Sequence, residues 1–126
     1  MVHVNDNHWV LLHADLRHTA SDRCINVYDS WMDKDDTKLQ HTLEPMLAKL
    51  FRAGLERPVR IHRPQTQKDA TSCGLFAAAW SCLLTHGHDP YSVKLDAGGL
   101  RAWLNGGLER DQFDMPPIVH GGTLSL

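Results

Sequence analysis

The sequence has no long apolar run, no cysteine pair at a metal or disulfide spacing, and no surplus of basic charge. Its longest uninterrupted apolar stretch, Leu75 to Trp80, is six residues, against the roughly 20 that a membrane span needs. A transmembrane helix is therefore excluded and no membrane partner is expected. Thirteen Lys and Arg against fifteen Asp and Glu leave a formal charge of -2, so there is no positive field to hold a phosphate backbone, and direct nucleic-acid binding is not expected. The three cysteines, Cys24, Cys73 and Cys82, cannot all pair within one chain and form no CxxC, which points to free thiols. The opening MVHVNDNHW lacks the basic patch and apolar core of a secretory signal, so an intracellular protein, nuclear or cytoplasmic, is expected. There is no repeat, no Ser/Gly linker and no block of like charge.

What is present fits one small folded unit. The chain has 126 residues, 42% of them hydrophobic, with 9 Gly and 6 Pro, a composition that excludes a disordered or collagen-like chain and predicts a single domain over 1–126. His8 to Ala14 (HWVLLHA) is rich in strand formers, and Cys24 to Tyr28 (CINVY) alternates with Ile25 and Val27 on one face. The polar Asp15 to Arg23 between them reads as the loop of an antiparallel pair. From Leu39 to Phe51 an apolar stripe at spacings of three and four predicts an amphipathic helix ending at Gly54. Pro45 within it predicts either a kink or a start near that residue. Pro58 to Arg63 (PVRIHR) reads as a third strand, with Arg57, Arg60 and Arg63 on a solvated face.

Cys73 to Thr85 predicts a helix buried on most sides, with Thr71 or Ser72 as its N-cap and Gly87 closing it. Ala97 to Leu108 offers a second short helix with Leu100, Trp103 and Leu104 inward, followed by an irregular tail over 116–126. The fold class expected is α+β.

Three residues suggest nucleophilic chemistry. If the loop between the first two strands is symmetric about Asp15 and Asp22, His8 lies directly opposite Asp29, with Cβ atoms about 5 Å apart. A carboxylate so placed fixes a histidine's tautomer and stabilises its charged form. Cys73 stands where a polar loop becomes a helix, near unpaired N–H groups and the positive end of the helix dipole, which favour a thiolate. Gly74 keeps the neighbouring backbone uncrowded. Cys82, nine positions further on, and Cys24, at a strand start, read as structural.

The order His8-Trp9, then Tyr28-Asp29-Ser30, then Gln67 six residues before Cys73-Gly74-Leu75-Phe76 resembles the ubiquitin-like-protein-specific cysteine proteases. That family includes the SUMO proteases and shares the adenovirus-protease version of the papain-like fold. The segment HGHDPYSVKLDAGGLRAWL is similar to the variant found in transposon-derived open reading frames. The resemblance spans roughly Asn5 to Pro116 and implies a small sheet packed on a central helix that starts at Cys73. It implies that His8 is the general base, Asp29 its orienting carboxylate, Cys73 the nucleophile and Gln67 an oxyanion donor, with Trp9 walling a channel for a Gly-Gly tail. The activity implied is hydrolysis of a peptide or isopeptide bond after that tail, on a ubiquitin-like protein or its conjugates, without metal or cofactor.

Two departures stand out. The position before the nucleophile, commonly Asp in the family, is Ser72, and the sequence starts seven residues before His8, where family domains carry a substantial segment. The expectation is a truncated catalytic portion. Taken singly each residue has a plainer reading: Asp29 as a strand-ending turn residue, Gln67 as a loop residue beside Gln65. The alternatives are an inactive transposon-derived fragment, a domain that binds a ubiquitin-like protein without catalysis, or acyl transfer by the same thiol. His3, His8, His13 and His18, spaced by five, and the close pair His86 and His88 raise a zinc reading, but a step of five alternates faces on a strand.

Overall fold

The computed structural model describes residues 1–4, 8–14, 24–31, 36–50 and 59–119. The strands are β1 (Val2–Val4), β2 (His8–Ala14), β3 (Ile25–Tyr28) and β4 (Val59–His62), and the helices are α1 (Asp36–Leu50), α2 (Cys73–Thr85) and α3 (Leu100–Arg110). Short 3-10 turns at Pro90–Ser92 and Ala97–Gly99 connect the last two helices.

The sheet runs β1-β2-β3-β4. β2 is antiparallel to β1 through its first three residues and to β3 through its last four, whereas β3 and β4 are parallel. Alternation along the inner strands sends side chains into two separate cores. Val10, Ile25 and Val27 meet Val4 and the α1 stripe Leu39, Leu43 and Leu47 on one face, while Leu11 and Tyr28 meet Phe76, Ala77, Trp80 and Leu83 of α2 on the other. The sheet is thus a middle layer, which is why β2 and β3 carry apolar residues in succession. This is the α+β architecture expected, built as a small mixed sheet between helices.

Local chemistry explains most of the helix limits. α1 passes through Pro45 without stopping. Pro45 and His41, whose carbonyl loses its helical donor, are both exposed, so water can take that carbonyl while Leu39, Leu43 and Leu47 hold the buried face. The expected end at Gly54 lies outside the described residues. In α2, Ala77 and Ala79 are 1% and 0% exposed, and their small side chains let the helix lie close on β2. Gly87, at φ 80, reverses the chain after α2 in the left-handed conformation that glycine adopts without a Cβ clash.

Three expectations are corrected. The β2/β3 register pairs Leu11 with Tyr28 and Ala14 with Ile25, two residues away from the symmetric-loop register, because a long loop does not fix register. A shift of two preserves the face, so His8 and Asp29 stay on the same side as diagonal rather than direct neighbours. Neither Thr71 nor Ser72 caps α2 through its side chain: Ser72 sits at the N-cap without a side-chain cap bond, and its hydroxyl turns back to Asp69. The second helix starts at Leu100 after the 3-10 turn over Ala97–Gly99, and of its expected inward residues Leu100 is buried while Trp103 and Leu104 are half-buried.

Beyond α3 the chain returns to the core. Ile118 bridges Leu95, with backbone bonds from Asp96 to Pro117 and from Val119 to Lys94 at 2.9 and 2.8 Å. The rest of the expected tail, 120–126, lies outside the described residues. No helix among them is long and apolar enough to cross a membrane.

Candidate active site

His8 opens β2 and Asp29 follows β3, and the diagonal register brings His8 Nε2 to 2.6 Å from Asp29 Oδ1. The carboxylate is 3% exposed, and a carboxylate buried so deeply needs its acceptor sites filled. They are: Oδ1 also accepts the Trp31 backbone N–H at 2.9 Å, and Oδ2 accepts from Arg63 Nη2 at 3.2 Å. An ionised carboxylate only accepts, so a neutral imidazole in this contact carries its proton on Nε2 and its lone pair on Nδ1. His8 Nδ1 is buried and has no hydrogen-bond partner among the described residues. The imidazole also packs against Trp31, ring centroids 5.2 Å apart.

Cys73 is the first residue of α2 and is 4% exposed. Its Sγ accepts the backbone N–H of Trp9 at 3.4 Å, so the sulfur lies against the peptide that joins His8 to Trp9. The packing of α2 on β2 creates this contact, 64 residues apart in sequence. Trp9 is 41% exposed, and a Cβ placed on Gly74 would lie 3.7 Å from its indole. The indole therefore covers the backbone immediately after the thiol.

Gln67 is 1% exposed, which sets aside its reading as a solvated loop residue. Its carbonyl oxygen Oε1 accepts from Ser30 Oγ at 2.5 Å, its Nε2 donates to the Asp69 carbonyl at 2.8 Å, and its backbone N–H donates to the Ser30 carbonyl at 2.8 Å. The side-chain amide is thus held in one orientation, with one N–H left over. The loop between Gln67 and Cys73 is organised by Asp69, whose carboxylate accepts from the backbone N–H groups of Thr71 and Ser72 and from Ser72 Oγ, at 2.8, 2.7 and 2.6 Å. Those bonds, the Ser72 hydroxyl foremost, hold the Asp69 carboxyl below its ordinary value. Asp69 thus organises the loop that leads into Ser72 and Cys73.

Sequence reasoning overlooked four residues. Arg63 was read as part of a solvated strand face, yet it turns inward onto Asp29 and its side chain is 14% exposed. Only Arg60 of that trio lies exposed in the strand, and Arg57 is outside the described residues. Ser30, Asp69 and Gln65 position the Gln67 loop: the Gln65 side-chain amide accepts from Leu95 N–H at 2.7 Å and donates to the Leu95 carbonyl at 2.9 Å, as a neighbouring strand would. Only the Tyr-Asp-Ser and Gln-x-Gln spacings hinted at Ser30 and Gln65.

The remaining candidates do not join the site. Cys24 and Cys82 are free thiols away from His8, and burial pushes the Cys82 thiol up. His3 packs against Trp9 with the rings tilted at 48°, His18 is outside the described residues, and among those described no group of three or more His, Cys, Asp or Glu is placed to hold a metal. A cavity of about 340 Å³ bounded by His13, Tyr28, His62 and Tyr91 does not include Cys73.

Residues 1–102 match the model of the Ulp1 protease family, C-terminal catalytic domain. The match covers His8, Asp29, Gln67 and Cys73. Neither a curated protein nor a solved structure matches the chain.

Proposed function

The chain belongs to the Ulp1 protease family, cysteine proteases that act on ubiquitin-like proteins and their conjugates, and from that premise we propose that it hydrolyses the peptide or isopeptide bond after a modifier's Gly-Gly tail. One observation carries the reading. His8 sets Nε2 on Asp29 and keeps Nδ1 buried with no partner among the described residues, while the N–H of the next residue touches the Cys73 sulfur. An imidazole so arranged has one nitrogen fixed and the other free to take a proton.

In the mechanism this supports, His8 Nδ1 accepts the Cys73 thiol proton and the sulfur attacks the carbonyl carbon of the terminal glycine. Charge moves onto that carbonyl oxygen. The uncommitted N–H of Gln67 and the backbone N–H of Cys73 are its donors, and a donor of this kind is worth about 3 kcal/mol in comparable sites. Asp29 stabilises the imidazolium formed. The proton then passes from His8 to the departing amine, leaving a thioester on Cys73 that water, deprotonated by His8, hydrolyses. Trp9, 41% exposed and lying over Gly74 beside the thiol, is the residue this reading assigns to the wall of the Gly-Gly channel.

A ubiquitin-like protein carrying a C-terminal electrophile tests this. Wild-type chain and Cys82→Ala should form the covalent adduct, and Cys73→Ala should not. Equal losses in the two cysteine variants overturn the assignment. An unreactive wild-type chain together with retained affinity for the modifier favours a binding domain without catalysis.

A further inference from the structure

The parallel pairing of β3 and β4 sets Tyr28 beside His62. Continuing that register past the strand ends puts Asp29 beside Arg63, 34 residues away. The backbone follows it one step further, since Asp29 N–H donates to the His62 carbonyl at 2.9 Å. Asp29 is therefore tied to the end of β4 twice, by its own peptide and by the Arg63 guanidinium on Oδ2. Both side chains of this ion pair are largely buried, 4% and 14% exposed.

We infer that Arg63 is a positioning residue that fixes the tautomer of His8 by holding Asp29 in its carboxylate form. The importance of the inference rests on the function proposed above, but its chemistry does not. The groups around the carboxyl are His8 from β2, the Trp31 N–H beyond β3 and Arg63 beyond β4. If the carboxyl were protonated it could donate to His8 Nε2, and the imidazole proton would then sit on Nδ1, the nitrogen needed to receive the thiol proton. A guanidinium cannot lose its proton at any physiological pH. Within hydrogen-bond reach of Oδ2 it opposes neutralisation of the carboxyl, so Nε2 stays the donor and Nδ1 the acceptor. With a neutral side chain at 63, the buried Asp29 carboxyl would keep the His8 imidazole and the Trp31 N–H but lose the one fixed cation set against its neutralisation.

Histidine-selective 15N labelling reads the tautomer directly and needs no substrate. The sample is the full chain carrying Cys73→Ala, in which no thiol can pass a proton to His8. With Arg63 present, His8 should show a protonated Nε2 and a bare Nδ1. Arg63→Gln, which keeps a hydrogen-bond donor of similar reach and removes the charge, should introduce the Nδ1–H form, and Arg63→Lys should restore the parent pattern. In chains with Cys73 intact, Arg63→Gln should lower kcat at least about tenfold with KM within about twofold, as expected when a base is held in the wrong tautomer, and Arg63→Lys should recover much of the loss. An Nδ1–H tautomer in the parent overturns the inference. So does an unchanged His8 pattern in a folded Arg63→Gln chain, and so does Arg63→Lys behaving like Arg63→Gln. If Arg63→Gln does not fold, the parent tautomer and the lysine variant decide. A chain that processes no modifier refutes the proposed function and leaves the tautomer result standing.

Discussion

Ser30→Ala isolates the contact that orients Gln67. Ser30 is 1% exposed, and its hydroxyl is the donor to Gln67 Oε1, itself in a side chain 1% exposed. Removing the hydroxyl leaves a buried amide oxygen unsatisfied, which costs about 1–3 kcal/mol, or roughly 3–15 °C in Tm for a chain of this length. The catalytic effect is separate. Without Ser30 the amide is held, among the described residues, only by its bond to the Asp69 carbonyl and can rotate, so on the proposed mechanism the oxyanion donor is in place for a fraction of the time. Full loss of such a donor lowers kcat by about 10²–10³, so Ser30→Ala should lower it by roughly 10–100-fold with little change in KM. Turnover of a ubiquitin-like protein with a fluorogenic C-terminal amide measures this, and thermal unfolding of the same sample measures stability. In a Gln67→Ala background Ser30→Ala should have no further effect on kcat, because the group it orients is gone. A kcat within about twofold of wild type in Ser30→Ala would refute the coupling, as would effects that multiply in the double variant.

Other expectations concern stability and pH. Trp80, 1% exposed in the core that α2 makes with the sheet, should cost about 3–5 kcal/mol of stability on change to Ala, seen as an earlier midpoint in urea; an unchanged midpoint would mean that α2 does not pack as described. Gln65→Ala should cost about 1–3 kcal/mol by orphaning the N–H and carbonyl of Leu95, and amide exchange should rise at Leu95 before it rises in α1, where no bond has been lost. The His62 imidazole is held below its ordinary value, first by burial and then by Arg60. The unfolded chain therefore takes up a proton below about pH 6.5 that the folded chain resists, and stability present above that pH declines as pH falls. His62→Gln should flatten the acid side of a Tm-against-pH curve, and an unchanged slope would show that His62 does not contribute to it. Asp69, held low by its bonds to Ser72 and Thr71, acts in a separate window: order in the Gln67–Cys73 loop is present above about pH 3.8 and is lost as pH falls through the lower folded value. Asp69→Asn, which cannot become an anion, should remove that dependence in peptide-resolved amide exchange.

The local elements and the candidate site residues were legible in the amino-acid order. Strand formers marked β2, period-two alternation β3 and β4, a period-3.6 stripe α1 and an apolar run α2, which begins and ends at Cys73 and Thr85 as its composition predicted. The spacing of His8, Asp29, Gln67 and Cys73 was legible because a family motif constrains residue type at each position, and the family match covers all four. β1 was missed because three residues carry too little pattern, and its pairing with β2 is a property of the partner strand.

How these residues meet depends on strand order and packing. The diagonal register brings His8 onto Asp29, and a loop's length cannot set that register. The parallel β3/β4 pairing turned Arg63 from a surface charge into the partner of Asp29, because two residues 34 apart share an environment only once strand order and direction are fixed. The buried amide of Gln67, held by Ser30 and Asp69, likewise depends on a chain reversal that no local signal encodes. Propensity and periodicity act over a few residues, whereas burial and pairing, which fix a polar side chain's partner and orientation, are settled by the packing of the whole chain.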